Sequence, residues 1–534
     1  MTTIAPYRSP AAPGKNGFAQ ALRAELTKFR TVRGWIIGAI VGVLVMAGIG
    51  LLASSGGQNS CQAVGTQGQQ GGSGSCNHGI SFFLGPNGEP VSDSFYFVRQ
   101  PLAGDGTITV RLTSMTGRVP APNSLGNGNQ VPGVVAWAKA GLIIKENLTQ
   151  GSAYAAITVA ADHGVRFQWN YTGDTAGLPG PVGSANPRWL RLTRSGDVIT
   201  GYDSADGTHW SKVGTVSLAG LPPTAQVGLF AASPDYAQVA EGFGGGTSGG
   251  GGPTQDTAVF DHLATSGRWT AGQWAGQYVG TPEVTGVVGS HQSDGQYTLT
   301  GQGDIAPIPA GHGGQADPAV TVSDYLIGTF AGLIALVVVA VLFVTAEYRR
   351  GLIRLTFAAT PSRGRVLAAK SVVVAAVGFM VGLLGAGVAV LAGEAITRAR
   401  GAYAFPISGT AEARVIIGTA ILTALLAVLA LAIGTIVRRS AATVAVAIVV
   451  IVLPYFFAAY AAVPLSAGDW LLRIMPAAGF ALQQPYPQYN QVTMLYAPFS
   501  GYFPLSPLAG LGVLVAWTAA ALALAAYLLR RRDA

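Results

Sequence analysis

The residues with the most chemistry in this chain are basic, and they are clustered. Between Glu347 and Lys370, in EYRRGLIRLTFAATPSRGRVLAAK, stand Arg349, Arg350, Arg354, Arg363, Arg365 and Lys370 against the single acid Glu347. Inside the segment Leu352, Ile353, Leu355 and Phe357 give an apolar stretch after Gly351, with Arg354 available to a carboxylate on another surface. The expectation is a short helix able to enter a cleft, ended by Pro361 because proline cannot continue a helix interior, or, less specifically, an ordinary positive-inside loop. This is docking chemistry, not bond making. The second reactive pair is Cys61 and Cys76, the only cysteines of the chain. On an oxidising side of a membrane they are expected to join, closing a loop of about 15 residues worth roughly 3 kcal/mol in the chain-entropy model.

Nothing else converges on a reaction. No G-x-x-x-x-G-K-[ST] phosphate loop occurs, so the chain cannot cradle ATP in that way. Ser55-Gly-Gly-Gln58 imitates part of a nucleotide-binding signature but follows directly on an apolar run. The six histidines (His78, His163, His209, His262, His291, His312) lack the paired short spacing of zinc sites and read as solvated loop residues. Asp203, Asp206 and Asp261 offer no calcium-loop spacing. Asn147-Leu-Thr and Asn170-Tyr-Thr are glycosylation sequons by pattern only. The expectation is no catalytic residue, no metal and no cofactor in this chain.

The elements that must position the basic segment are membrane spans. Hydrophobic residues make up 49% of the chain and charged ones only 10%, with mean hydropathy +0.40, whereas a soluble chain carries roughly 25% charged residues. Six runs are long enough for a bilayer core of about 30 Å: 34–54, 325–346, 368–393, 415–437, 441–463 and 507–529. The run at 34–54 is too long, after too long a leading tail, for a secretory signal.

Lysine and arginine accumulate on the cytoplasmic side of spans. Six lie in the tail 1–33, six in Glu347–Lys370, two at Arg438 and Arg439, and three in 530–534. Both termini and the loop 347–367 are therefore expected in the cytoplasm and residues 55–322 outside, in a multi-pass protein of a bacterial plasma membrane. Arg398 and Arg400 fit this assignment least well. The net charge of +8 is then a difference between sides, and no nucleic-acid partner is implied. In the tail, Phe18, Leu22, Leu26 and Phe29 recur at helical spacing among Arg23, Lys28, Arg30 and Arg33. They predict an amphipathic helix in the bilayer interface or, less specifically, a solvated juxtamembrane helix.

The outer region begins with a Gly/Ser/Gln-rich arm, 55–79. From 80 to 267 the period is two: Ile108, Val110 and Leu112 alternate with Thr109 and Arg111, and Val165, Phe167 and Trp169 with Arg166 and Gln168. Further strands are expected at 138–145, 153–160, 189–193, 198–203, 209–216, 226–231 and 257–263, separated by turn pairs such as Asp206-Gly. Many short strands with tight turns predict an antiparallel sandwich. Trp210, after the Asp206-Gly turn, is expected to pack inward. Residues 268–324 read as a separate β-rich collar beside the membrane. In 464–506, GDWLLRIMPAAGFALQQ contains Pro476 and is too short to span, which suggests a re-entrant or interfacial helix. The fold class is thus an α-helical polytopic membrane protein of six spans, with an all-β external sandwich between spans one and two.

Two resemblances follow from these residues. The order of Glu347, the basic pair Arg349-Arg350, Gly351, a short helix, Ala-Thr-Pro361, Arg363 and Lys370 resembles the first intracellular loop of type-2 ABC-transporter permeases, in actinobacterial form. AELTKFRTVRGW in the tail, AIGTIVRRSAATVAVAI at 432–448 and the helix before the last span are similar to parts of the same family. The resemblance implies that 351–360 is a coupling helix and that the partner is an ABC ATPase subunit holding ATP and Mg. It also implies that two permeases, as a homodimer or heterodimer, form the path through the bilayer. The strands DSFYFVRQPLAGDGTITVRL, AWAKAGLIIKEN and WLRLTRSGDVITGYDSADGTHWSKVG resemble the laminin-G or concanavalin-like sandwiches, which implies a lectin-like domain with a glycan or protein ligand outside. The alternative is a receptor or adhesin that transports nothing.

Overall fold

In the computed structural model, the residues described are 17–56, 83–121, 129–241, 247–270, 272–282, 284, 286–310, 320–349, 351, 356, 362–400, 404–459, 464–492 and 496–531. The chain is a helical bundle carrying a large β-domain between its first and second spans. Ten α-helices are described: α1 (Phe18–Thr31), α2 (Arg33–Gly56), α3 (Val322–Tyr325), α4 (Thr329–Arg349), α5 (Arg363–Ala399), α6 (Gly409–Val437), α7 (Ser440–Ile451), α8 (Leu453–Ala459), α9 (Leu465–Ile474) and α10 (Pro507–Arg531). Six helical stretches are long and apolar enough to cross a membrane. They match the six expected runs, with a helix break between α7 and α8 beside Pro454, whose nitrogen has no hydrogen to give to the helix. α5, at 37 residues, is about 55 Å long. It therefore extends well past a hydrocarbon core of about 30 Å.

The bundle packs through small residues, as helices without a hydrophobic drive between them must. Gly50 of α2 lies so close to α3 that a Cβ there would stand 2.1 Å from the Tyr325 carbonyl oxygen. The centre is sealed by Leu333, Leu336, Val337, Phe343, Leu422, Leu426 and Phe480. Buried threonines are satisfied locally: Thr419 donates to Val415 O and Thr435 to Leu431 O, one helical turn back. The 3₁₀ segment Pro476–Gln483 is buried throughout, between α6 and α10. The Gln483 amide donates to Thr329 and Thr419, so protein covers the broken backbone of the segment expected to be re-entrant.

One long strand, Phe95–Pro120, organises the β-domain. Residues 96–103 pair with Thr224–Ala231, the first of the strands running on through Lys139–Lys145, Tyr154–Ala160, Gly164–Trp169 and Gly173–Ala176. Residues 106–112 pair with Arg188–Arg194, which leads to Val198–Ser204 and Ser211–Ser217. The strand passes from one layer to the other at Gly104, with φ +77°, and at Gly106, where a Cβ would lie 2.7 Å from Ser266 O. Only glycine takes the first position without strain and leaves room at the second. The layers close on Val98, Leu102, Ile108, Val110, Leu112, Ile157, Phe167, Leu190, Leu192, Ile199, Leu229 and Phe260. The alternation in sequence maps onto this core because side chains in a strand point alternately to its two faces.

Two expectations need correction here. Residues beyond 267 do not form a separate collar. Ala275–Val279 pairs with Phe95–Arg99, Gln296–Gly301 pairs with Asp256–Phe260, and Ile305–Pro307 pairs with Val91–Asp93, all within the β-domain. Trp210 does not enter the core either. It lies half-buried on the outer face, with the Arg191 guanidinium 3.7 Å above its ring and its own N–H donated to Gly207 O. Arg191 faces outward because its neighbours Leu190 and Leu192 take the inward positions, and Trp210 is covered by that cation.

The β-domain and bundle meet at the end opposite α1. Gln491 donates to Tyr171 O and Thr172 O, while Ala310, Phe405, Tyr486 and Tyr502 pack as one cluster. Beneath the small sheet 83–84, 90–93 and 305–307 lies an ion pair with no exposure, Lys145 to Asp93 at 2.7 Å, joined by the Tyr171 hydroxyl donating to Asp93 Oδ2. Burial pushes the Lys145 ammonium below its ordinary range despite Asp93 beside it.

Candidate functional site

The basic segment Glu347–Lys370 starts on the last turn of α4 and ends on the second turn of α5. Those two helix ends bring Glu347 and Lys370 together, with the Lys370 ammonium 2.8 Å from Glu347 Oε1. α1 lies across the same place and contributes two more charges. Lys370 reaches Glu25 Oε2 at 2.7 Å, and Lys28 bridges Glu25 Oε1 at 2.8 Å and Glu347 Oε1 at 3.0 Å. Side-chain exposure is 3% for Glu25 and Lys370 and 8% for Glu347, against 37% for Lys28. Three charges of the four are therefore out of water and depend on one another. Burial pulls the Lys28 ammonium down, but the hydrogen bond to Glu25 and the charges of Glu347 and Glu25 outweigh it and hold Lys28 above the ordinary lysine range.

Aromatic rings wall the cluster. The Lys370 ammonium sits 4.7 Å from the Phe343 ring centre, and Phe29 of α1 packs on Phe343 and Trp35 with centroids 5.7 and 6.1 Å apart. This divides the stripe expected on α1: Phe29 and the buried Glu25 face the bundle, while Phe18 and Leu26 stay exposed at 43% and 42%.

Other predicted residues fall at the same end of the bundle. Gly351 has φ +66° and its N–H donates to Tyr348 O, the left-handed residue that closes α4. Arg363, opening α5, donates to Leu529 O at 2.5 Å and so ties the third span to the last turn of the sixth. Arg349 is the last residue of α4. Arg350, Arg354, Leu355 and Pro361 lie outside the described residues, as do Cys61 and Cys76. The turn from α6 to α7 belongs here too: Arg438 lies 5.2 Å over Tyr348, and the Ser440 hydroxyl bonds that of Thr345 at 2.8 Å.

Glu25 was the residue that sequence reasoning missed. A signal existed, since Glu25 is the sole acid of the tail 1–33 and Glu347 the sole acid of the basic segment. Two lone acids, each set among cations, are the natural partners of buried lysines. The cluster fastens α1 to the ends of α4 and α5 that flank the loop.

A family model described as ABC-2 family transporter protein matches residues 27–534. No curated protein matches the chain. Among solved structures, a functionally unknown protein from Saccharomyces cerevisiae is 16% identical, covering 35% of this chain and 83% of that one at a TM-score of 0.22. Scytalido-glutamic peptidase with a transition-state analogue inhibitor is 9% identical, covering 41% and 100%, at 0.24. Sheep galectin-11 in complex with glycerol is 9% identical, covering 25% and 92%, at 0.15. At these TM-scores the likenesses carry no argument about fold or activity.

Proposed function

The chain belongs to the ABC-2 family of transporter proteins, a membrane permease that works with an ABC ATPase, and we propose that it serves an ATP-driven exporter as the subunit receiving the stroke at 347–370. The observation that carries this reading is the buried four-charge cluster, which ties both stems of that loop to α1. A loop that served only as a topological signal would need positive charge, not a buried, stoichiometric ion network at its base. In this reading the end of the bundle holding α1, the loop and the end of α10 faces the cytoplasm of a bacterial cell. Two permease chains form the path, ATP and Mg stay on the partner ATPase, and the β-domain stands outside as a lectin-like module for a glycan or protein ligand.

The test perturbs the loop away from the spans. Leu355→Pro breaks a helix at about 3 kcal/mol, and Arg354→Glu reverses a charge toward the partner. Both variants are expected to reach the membrane and to lose ATPase co-purification or its stimulation. Full retention of both would leave the loop a topological signal and favour a receptor or adhesin.

A further inference from the structure

The bundle holds a second site at the end facing the β-domain. A cavity of about 230 Å³ opens between α3, the start of α4, α8 and the segment 498–503. Its lining includes Phe330, Tyr455 and Phe503 on one hand, and Asp324, Ser323 and Gln483 on the other. The aromatic wall is rigid. Phe330 stacks on Phe480 with centroids 4.7 Å apart and meets the tilted Tyr455 ring at 4.2 Å, and the Tyr455 hydroxyl is fixed by donation to Pro498 O.

Its polar groups are unusual in being unbalanced. Among the described residues, no lysine, arginine or histidine lines the cavity. Asp324 accepts from the Thr321 N–H and hydroxyl through Oδ2 and forms no ion pair among the described residues. The Ser323 hydroxyl is buried there without a partner among them. Gln483 is 7% exposed, and its NH₂ is spent on Thr329 and Thr419, so the acceptor oxygen is the part left for an occupant.

An anion would meet the exposed Asp324 carboxylate at the cavity mouth, and a plain hydrocarbon would leave the Ser323 hydroxyl and the Gln483 amide oxygen without partners. A cation suits this set best, because aromatic rings attract positive charge and the carboxylate and amide oxygens pair with it. We propose that this cavity binds an organic cation, a quaternary ammonium or protonated amine on a small aromatic or aliphatic body of the size the volume admits. That such a molecule is what the transporter handles at this end rests on the permease reading; the binding itself does not.

Equilibrium dialysis of the full-length protein in nanodiscs against labelled benzyltrimethylammonium tests it, with the uncharged carbon isostere neopentylbenzene as competitor. Saturable binding is expected that the isostere does not displace. Asp324→Asn keeps an acceptor for Thr321 and should weaken binding at least about tenfold, and Phe330→Leu, which keeps an apolar side chain but removes the π face, about tenfold. Absence of saturable binding up to millimolar probe, displacement by the isostere, or an unchanged affinity in Asp324→Asn would each overturn the proposal. Co-purification of the ATPase with the unsubstituted protein is read on the same preparation, so that an empty cavity beside a bound ATPase refutes only the cavity.

Discussion

Replacing Lys370 by Met should release α1 from the bundle. The Lys370 ammonium holds Glu25 at 2.7 Å and Glu347 at 2.8 Å, and both carboxylates are at most 8% exposed. Without it, two buried acids share Lys28, which is 37% exposed and already engaged with both. Removing one partner from a buried ion network costs about 3–5 kcal/mol, because the remaining charge stays out of water uncompensated. Losing the exposed Lys28 should cost no more than about 1 kcal/mol. The lower bound for Lys370→Met, about 3 kcal/mol, corresponds to roughly a hundredfold change in an opening equilibrium. Hydrogen exchange of the α1 amides, residues 18–31, reads that opening directly. They should exchange about a hundredfold faster in Lys370→Met and less than about tenfold faster in Lys28→Met. Glu25→Gln added to Lys370→Met should recover part of the protection by removing one stranded charge. Unchanged exchange in Lys370→Met, or equal effects of the two lysines, would refute the view that the buried lysine holds α1 in place.

Three further outcomes follow from particular residues. Asp256 is fully buried with neither oxygen bonded, and burial raises its pKa well above the ordinary carboxylate value despite the Thr257 N–H. Its contribution to stability is complete below the unfolded pKa and is lost as pH rises through the folded one. Asp256→Asn should therefore stabilise the β-domain at neutral pH and leave it little changed near pH 4, as read by tryptophan-monitored unfolding across that range. Cys61 and Cys76 are expected to be joined, so alkylation without prior reduction should add no mass; a gain of two alkyl groups would show free thiols. A cysteine at position 358 (Ala358→Cys) should resist an impermeant reagent applied to intact cells, and labelling from outside would reverse the assigned sidedness.

The stretches of chain that fold by local rules were legible in the sequence. Span positions follow from the count of consecutive apolar residues, because a bilayer of fixed thickness demands a fixed length of helix. The strands at 108–112 and 198–204 follow from alternation, because a half-buried strand shows a period of two whatever it pairs with. The basic segment stood out by charge alone. What the tertiary structure decided are the meetings between distant parts. Glu25 and Lys370 are 345 residues apart, and each looks solvated in its own segment, until a long apolar helix carries Lys370 beneath α1. The pairing of 275–279 and 296–301 into the β-domain was hidden for the same reason, since a short polar strand shows its place only when the edges of Phe95–Pro120 and Gln255–Trp269 are there to receive it. The cation-seeking cavity is the furthest case: Asp324, Gln483 and Phe503 come from three separate segments. Sequence periodicity reports which face of an element is apolar, but it carries no information on which buried charges or rings will share the space where elements cross.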